Sequence, residues 1–369
     1  MGKTVPTRNL TMATKRTLFA TLLLCVIGCP PPATPEADVP LEEQTLEIIW
    51  DQRLERGYLQ STPLVVGDVV FVGSADEGMW AFDLQTGEPK WTAEMPEEID
   101  APAAYVDGLL FVGDVWGVLH AFDAETGEKK WTFDTEGNIH SSPNIDVQTK
   151  RVLVTSEYGT LFALQAETGE KVWEYKTEDQ IWCFPPIVGR QCFIAACDGY
   201  LHIIDLDTGE GVSRIDLEAQ TGTTPLFVDD FAYVGTEGNE FLAIDWKKEE
   251  IVWRHEMEMP VHALAVYRDG MVIFGGTDKT VYALDAKTGK ERWKYRTKGR
   301  IEGGAVIIGN TVYVPSADSS LYIFDCGSGK KLGTVKLSGK LLAAPTVADG
   351  KILITSRDGV LTCLQGKEN

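Results

Sequence analysis

The sequence predicts an all-β protein, an eight-bladed β-propeller with four antiparallel strands in each blade. A turn of the form Asp-x-x-Thr-Gly-Glu, with Trp three residues after it, recurs along the 369-residue chain. Successive turns are 40 or 42 residues apart, and a period near 40 is typical of a propeller blade. The anchor residues of the eight copies are Asp83, Asp123, Gln165, Asp205, Asp245, Asp285, Asp325 and Gln365.

Each copy contains four short β-rich runs separated by turn residues. In the second copy the first run begins near Ala101, and the other three are Leu109–Gly113, Leu119–Asp123 and Lys130–Phe133. Runs of about five residues have the usual length of a strand. One copy therefore predicts one complete blade.

The turn glycines and the tryptophans are predicted to be structural. Glycine adopts the positive φ that the turn requires at low cost. The tryptophan falls on the fourth strand, where a large flat ring can wedge between adjacent blades. The glycines are Gly87, Gly127, Gly169, Gly209 and Gly289, and the tryptophans are Trp50, Trp91, Trp131, Trp173, Trp253 and Trp293. Ser213 and Gly333 replace tryptophan in copies four and seven, which predicts weaker blade contacts there.

The last blade is predicted to be split between the two ends of the repeat region. The eighth copy begins at Ala344 and ends too early to supply a fourth strand. Trp50 has the spacing of a fourth-strand tryptophan, so residues 45–51 are expected to complete this blade. Closing the ring in this way protects sheet edges that would otherwise pair with other chains.

The N-terminal region predicts a lipoprotein signal. Four basic residues precede an apolar stretch from Leu18 to Ile27, which suits a secretory signal and is too short to span a bilayer. The sequence before Cys29 resembles a bacterial lipobox, so we expect a signal peptide over residues 1–28 and lipidation of Cys29; an ordinary signal peptide is the alternative, and Met12 is an alternative start. Pro30 in place of Asp favours the outer membrane.

The predicted domain organisation is a signal peptide, a Pro-rich tether over residues 29–44 and a single propeller over residues 45–369. Without residues 1–28 the chain has 30 Lys and Arg against 55 Asp and Glu, a balance of −25. Nucleic acid and anionic lipid headgroups are poor partners for such a surface. The lipid anchor is therefore the expected membrane contact.

The cysteines leave two alternatives open. Cys183 and Cys197 flank a predicted hairpin of blade four, so a disulfide between them is compatible with an oxidising periplasm. Buried free thiols are the favoured alternative. No CxxC pair is present, which argues against a zinc or thioredoxin-like site.

Candidate ligand or partner residues lie three positions before the proline that marks each first strand. The innermost strands and the loops that enter them are expected to line a central funnel. The candidates include two histidines, a glutamate, a glutamine and a tryptophan, which suit a polar ligand or a metal. A water-lined channel without a ligand is the simpler interpretation. Round the ring, the positions are Gln60, Ile99, His140, Trp182, Gly222, His262, Glu302 and Leu342. His120 and His202 fall on third strands and are expected to be structural.

The sequence contains no recognisable catalytic set. The strings beginning at Asp205 and Gly327 look like a calcium loop and a phosphate loop, but both are repeat turns that lack required positions. No GxSxG elbow is present. We therefore expect no enzymatic activity.

The repeat resembles the quinoprotein-type propeller repeat over about 320 residues. One branch of that family consists of dehydrogenases that use pyrroloquinoline quinone (PQQ) and calcium; this chain lacks their vicinal disulfide, their insertions and an identifiable calcium set. The other branch is similar in size and blade count: propeller lipoproteins of the outer-membrane β-barrel assembly machinery. This resemblance implies a non-enzymatic periplasmic scaffold without cofactor that binds the barrel-inserting subunit. The alternatives are a scaffold for another cell-envelope client and, less favoured, a PQQ dehydrogenase.

The resemblance transfers no individual docking residue. The blade-four surface around Trp182, Arg190 and Gln191 is irregular relative to the other copies and offers one docking candidate.

Overall fold

The computed structural model describes residues 45–55, 58–95 and 98–366. Within them the chain forms eight four-stranded antiparallel sheets, which confirms the predicted eight-bladed propeller. The predicted signal peptide, Cys29 and the tether lie outside the described residues. Among the residues that are described, no helix has the length and apolar character needed to cross a lipid bilayer.

Each blade takes its four strands consecutively from the chain, apart from the last. Blade one contains β2 (Leu64–Val66), β3 (Val69–Ser74), β4 (Gly78–Asp83) and β5 (Pro89–Ala93), and blade two contains β6 (Ala104–Val106), β7 (Leu109–Gly113), β8 (Val118–Asp123) and β9 (Lys129–Asp134). Blade three contains β10 (Asn144–Asp146), β11 (Arg151–Ser156), β12 (Thr160–Gln165) and β13 (Lys171–Lys176). Blade four contains β14 (Ile187–Val188), β15 (Gln191–Ala195), β16 (Tyr200–Asp205) and β17 (Gly211–Asp216).

The second half of the disc repeats the pattern. Blades five to seven contain β18 (Leu226–Val228), β19 (Phe231–Gly235), β20 (Glu240–Asp245), β21 (Glu250–Glu256); β22 (Val266–Arg268), β23 (Met271–Gly275), β24 (Thr280–Asp285), β25 (Glu291–Arg296); β26 (Val306–Ile308), β27 (Thr311–Ser316), β28 (Ser320–Asp325), β29 (Lys331–Lys336). Blade eight contains β30 (Thr346–Ala348), β31 (Lys351–Ser356), β32 (Val360–Gly366) and, from the other end of the described chain, β1 (Leu46–Arg53).

The split blade closes the ring as predicted. Strand β1 pairs antiparallel with β32, with Leu46 opposite Gly366 and Arg53 opposite Val360. The first strand of each blade is innermost, because first strands of neighbouring blades contact each other, as β6 does β10 and β30 does β2. The fourth strands form the outer rim and alternate exposed with partly buried residues, as in β21.

The hydrophobic core lies between the blades. Because side chains alternate across a strand, the second and third strands of each blade bury apolar residues on both faces. One cluster, for example, packs Phe111 and Leu119 of blade two against Val152 and Leu164 of blade three. Each interface therefore stabilises two blades at once.

The tryptophans connect adjacent blades through one repeated contact. Trp173 of blade three stacks over Gly209 of blade four, and its Nε1 donates a hydrogen bond to Leu206 O at 3.2 Å. A Cβ at Gly209, which has φ +77°, would lie 2.5 Å from the indole. The equivalent pairs are Trp50 with Gly87, Trp91 with Gly127, Trp131 with Gly169, Trp253 with Gly289 and Trp293 with Gly329. The indole therefore lies between adjacent blades, and the glycine is required by the ring as well as by the turn.

Where tryptophan is absent, other residues occupy the interface. Beside Ser213, the following turn has Glu249 at φ +59° in place of glycine, since no ring lies over it. Trp246 enters this interface from blade five, packs edge-on to Phe193 at 5.2 Å and donates to Asp229 O at 3.3 Å. A tryptophan from blade five is thus buried at the interface where Ser213 provides no fourth-strand ring. Beside Gly333, Leu332 is buried in the interface with blade eight.

Candidate functional site

The predicted ring residues lie on one face of the disc, which we call the funnel face. They belong to the links that run from the fourth strand of one blade to the first strand of the next. These links hydrogen-bond to the turns between second and third strands: Glu157 N donates to Asn138 O at 2.9 Å, and Cys197 N to Gln180 O at 2.9 Å. Links and turns therefore form a single rigid surface around the funnel.

His140 and Trp182 form the best-defined group on this face. Their rings stack with centroids 4.5 Å apart and planes 7° from parallel. His140 Nε2 lies 3.5 Å from Glu157 Oε2. Gln180 joins the group, because its Nε2 donates to Glu157 Oε1 at 3.2 Å and its Oε1 accepts from Trp182 Nε1 at 3.2 Å. The indole is held by the His140 ring and by Gln180, while Trp182 as a whole remains 39% exposed.

Gln60 belongs to an acidic group beside it. Gln60 Nε2 donates to Asp100 Oδ1 at 3.3 Å, and Tyr58 Oη donates to Glu98 Oε1. Burial and the neighbouring Glu98 carboxylate raise the pKa of Asp100 to about 6. The hydrogen bond to Glu98, with burial, raises the pKa of Tyr58 to about 12. Negative charge is therefore concentrated at this part of the funnel.

One predicted ring position is wrong. Ile99 is 1% exposed and packs against Gly73, as Ile139 packs against Gly113 in the next blade. The funnel position in blade two is Asp100, because Pro102 stands one residue earlier in its repeat than Pro63 does. Counting back from the proline therefore gave a core residue.

The remaining ring residues pair locally and do not join the first group. His262 Nε2 lies 3.0 Å from Glu237 Oε1, and Arg300 Nε contacts Glu302 Oε1. Gly222 and Leu342 contribute no polar group. Within the described residues, no group of three or more His, Cys, Asp or Glu side chains is arranged to hold a metal ion. The donor set therefore does not fit the calcium that accompanies PQQ.

Two buried histidines serve the fold. His120 Nε2 lies 2.7 Å from Asp114 Oδ2; burial disfavours the carboxylate, but hydrogen bonds from His120 and Val118 N more than offset it and leave the pKa of Asp114 below its ordinary value. His202 similarly contacts Asp198 through Nε2 at 2.9 Å, and its Nδ1 lies 2.9 Å from Tyr175 Oη. Both pairs fix turns between second and third strands.

The five described cysteines are free thiols. Cys183 is buried and its Sγ contacts Ala195 O at 3.4 Å, whereas Cys197 is partly exposed. Burial raises the pKa of Cys183 to about 12 and that of Cys197 to about 11. The favoured alternative of free thiols is the state in this structure.

The proposed blade-four surface is divided by the disc. Trp182 is on the funnel face, whereas Arg190 lies on the opposite face, where it pairs with Asp146 at 3.0 Å and with Asp207. Gln191 begins β15 beside Arg190. These three residues cannot contact one partner surface together.

Two exposed aromatic residues were missed by sequence reasoning. Trp116 is 70% exposed and Tyr158 is 74% exposed, both in turns between second and third strands on the funnel face. Aligning these turns would have shown the signal, because the corresponding positions elsewhere are small or charged, as in Asp76 and Asp318. The face also contains an acidic cavity of about 480 Å³ lined by Glu178, Asp179, Cys197, Asp198, Gly199, Tyr200, Asp216, Glu218, Ala219 and Gln220.

The fold, the turn glycines and the interblade tryptophans define the chain as an eight-bladed propeller of the PQQ-like repeat class. A family model described as "Outer membrane protein assembly factor BamB" matches residues 39–102, 96–182, 197–306 and 296–368. The protein belongs to this family.

Individual relatives are distant. A protein named outer membrane protein assembly factor BamB from Marinobacter adhaerens is 33% identical over 86 residues, which cover 21% of this chain and 22% of the relative's length. The crystal structure of BamB from Moraxella catarrhalis superposes with a TM-score of 0.77 at 23% identity, covering 88% of this chain and 99% of that one. A quinohemoprotein alcohol dehydrogenase from Pseudomonas putida HK5 gives 0.72 at 16% identity, covering 88% and 77%. At these identities the structural likenesses show the shared fold.

Proposed function

We propose that this protein is a non-enzymatic scaffold lipoprotein of the periplasm that assists the assembly of outer-membrane β-barrel proteins. The match of the BamB family model along most of the chain carries this proposal. The structure is compatible with it, because short links between all eight blades give a rigid disc that presents loops for protein contacts.

The expected partner is the barrel-inserting subunit of the assembly machinery. The test is affinity purification of the tagged protein from detergent-solubilised membranes, with an unrelated lipoprotein as the control. Enrichment of the barrel-inserting subunit supports the proposal. Its repeated absence, with intact and membrane-bound bait, contradicts it and favours a scaffold for another cell-envelope client.

The proposed attachment is a lipid on Cys29 after removal of residues 1–28, with residues 29–44 as tether to the propeller. A Cys29→Ser variant is expected to move from the membrane fraction to the soluble periplasmic fraction. Incorporation of a labelled fatty acid into the parent but not the variant identifies the modified residue. Equal membrane association of both proteins contradicts a lipid anchor at Cys29.

The proposed partner contacts include the polar funnel residues Gln60, His140, Trp182, His262 and Glu302. His262 is the most direct test, because its side chain is 47% exposed and its replacement disturbs little packing. His262→Ala is expected to reduce recovery of the partner while leaving the unfolding midpoint unchanged. Unchanged recovery would remove this residue from the proposed contact surface.

The likeness to the quinohemoprotein alcohol dehydrogenase makes dehydrogenase activity the second candidate. Reduction of a redox dye after addition of PQQ, calcium and an alcohol would support it. We expect no reduction above a denatured control, because the described funnel side chains do not provide a calcium donor set.

A further inference from the structure

Three large aromatic side chains are exposed on the funnel face in three consecutive blades. Trp116, Tyr158 and Trp182 are 70%, 74% and 39% exposed, and we call them the aromatic arc. By contrast, the interblade tryptophans Trp173 and Trp293 are 9% and 8% exposed. Exposed aromatic rings that cluster on one surface are typical of protein interaction sites.

The arc is one connected surface. Gly137 lies between its first two members: the turn of Trp116 approaches it through Gly117, and the Tyr158 ring lies directly over it. A Cβ at Gly137 would be 2.8 Å from the Tyr158 ring. Glu157, next to Tyr158, bonds to Gln180, which accepts the hydrogen bond from Trp182 Nε1. Neighbouring blades therefore hold the three rings in fixed positions.

The links of the funnel face divide its charge into two halves. The links that enter blades two to six are residues 94–100, 134–140, 176–182, 216–222 and 256–262. Their described residues contain one basic residue, Lys176. The acidic residues are Glu94, Glu98, Asp100, Asp134, Glu136, Glu178, Asp179, Asp216, Glu218, Glu256 and Glu258. Residues 296–302 and 336–342, which enter blades seven and eight, contain one acidic residue, Glu302, and the basic residues Arg296, Lys298, Arg300, Lys336 and Lys340. The aromatic arc lies wholly within the acidic half.

An acidic cavity adjoins the end of the arc. It is a shallow depression that is widely open to solvent, it includes Glu178, Asp179, Asp198 and Glu218, and its volume of about 480 Å³ leaves room for a long basic side chain. Cys197, which lines it, donates its backbone N–H to the carbonyl oxygen of Gln180, the residue that binds the Trp182 indole. A cation passing from the arc into this cavity would therefore contact first an aromatic ring and then carboxylates.

We propose that the aromatic arc and the adjoining cavity form a docking site for an extended, arginine-containing segment of a partner protein. Guanidinium groups stack on aromatic rings and bind carboxylates in the same plane, so arginine matches both parts of the surface. Anionic partners are repelled by the acidic half. This site goes beyond the proposed assembly function and holds whatever the client.

The test uses purified propeller protein and a fluorescently labelled peptide of alternating arginine and glycine, with a glutamate and glycine peptide for comparison. Fluorescence anisotropy measures the dissociation constant at physiological salt. We expect binding of the arginine peptide only. Trp116→Ala and Tyr158→Ala are each expected to weaken it about two- to five-fold, as exposed cation–π contacts do. Trp182→Ala is expected to act in the same direction.

Matched controls separate this site from general attraction to an acidic protein. Val212→Ala removes an exposed apolar side chain from the outer rim, and Glu128→Gln and Glu170→Gln remove exposed carboxylates from turns on the opposite face. None of the three is expected to change the affinity measurably. Trp116 and Tyr158 are mostly exposed, so their variants retain the fold, which the circular dichroism spectrum checks.

Three outcomes would overturn the proposal. They are equal affinity for both peptides, loss of affinity on Glu128→Gln equal to that on Tyr158→Ala, and unchanged affinity in all three aromatic variants. None of them bears on recovery of the barrel-inserting subunit from membranes, so failure here and failure of the assembly role are distinguishable.

Discussion

The contact between Trp173 and Gly209 yields a prediction with a defined magnitude. Gly209→Ala places a methyl group 2.5 Å from the indole and forces alanine to φ +77°. The left-handed backbone costs about 1–2 kcal/mol for an L-residue, and overpacking adds about 1–3 kcal/mol. The variant is therefore expected to lose about 2–5 kcal/mol of unfolding free energy.

A double-mutant cycle separates the two costs. In a Trp173→Ala background no ring meets the new methyl group, so only the backbone cost of about 1–2 kcal/mol remains. The chain itself contains the same combination, since Glu249 has φ +59° where Ser213 replaces tryptophan. Urea denaturation followed by circular dichroism gives the four free energies. Equal costs of Gly209→Ala in both backgrounds would refute the reasoning that the ring demands glycine.

Three further predictions concern burial and charge. Asp100 has a pKa raised from 3.8 to about 6, so its ionisation destabilises the fold progressively as the pH rises between these two values. Asp100→Asn is expected to stabilise the protein by about 1–3 kcal/mol at pH 7 and by much less at about pH 4, measured by urea midpoints, and an equal gain at both pH values would contradict the assignment. Trp246→Ala is expected to cost about 3–5 kcal/mol, measured the same way, and a cost below about 1 kcal/mol would show that Trp246 does not replace the missing ring beside Ser213. Cys197 is expected to react with a thiol reagent before Cys183 does, and faster at higher pH because burial raises its pKa to about 11; mass-spectrometric mapping after brief labelling checks the order.

The period of the repeat determined most of the fold in advance. The spacing of Trp50 predicted that residues 45–51 complete the last blade, and the structure has this strand as Leu46–Arg53. Such predictions succeed because a repeated turn and a repeated core position leave little freedom to each blade. Trp246 escaped prediction because it occupies the place after an anchor, where the other copies have smaller residues.

The site was predicted less completely. Sequence position gave the five polar funnel residues their correct face, but a one-residue difference between repeats placed Ile99, a core residue, among the candidates. The pairing of His140 with Glu157, and of His262 with Glu237, depends on turns from neighbouring strands and cannot be read from the links alone. Trp116 and Tyr158 were overlooked because an aromatic residue after a strand normally suggests burial, and exposure depends on the neighbouring blade.

Closure of the ring by β1 and β32 separates early from late steps of folding. Blades one to seven are made of contiguous chain and involve mainly local contacts, so each is able to form soon after it is synthesised. Blade eight joins Leu46 to Gly366 and requires almost the whole chain. The pairing of β1 with β32 is consequently completed last, and the contacts of long sequence separation are concentrated in one blade. Until that step the incomplete ring of blades exposes two unpaired blade faces. The time spent before closure therefore determines how long the protein is able to misassemble.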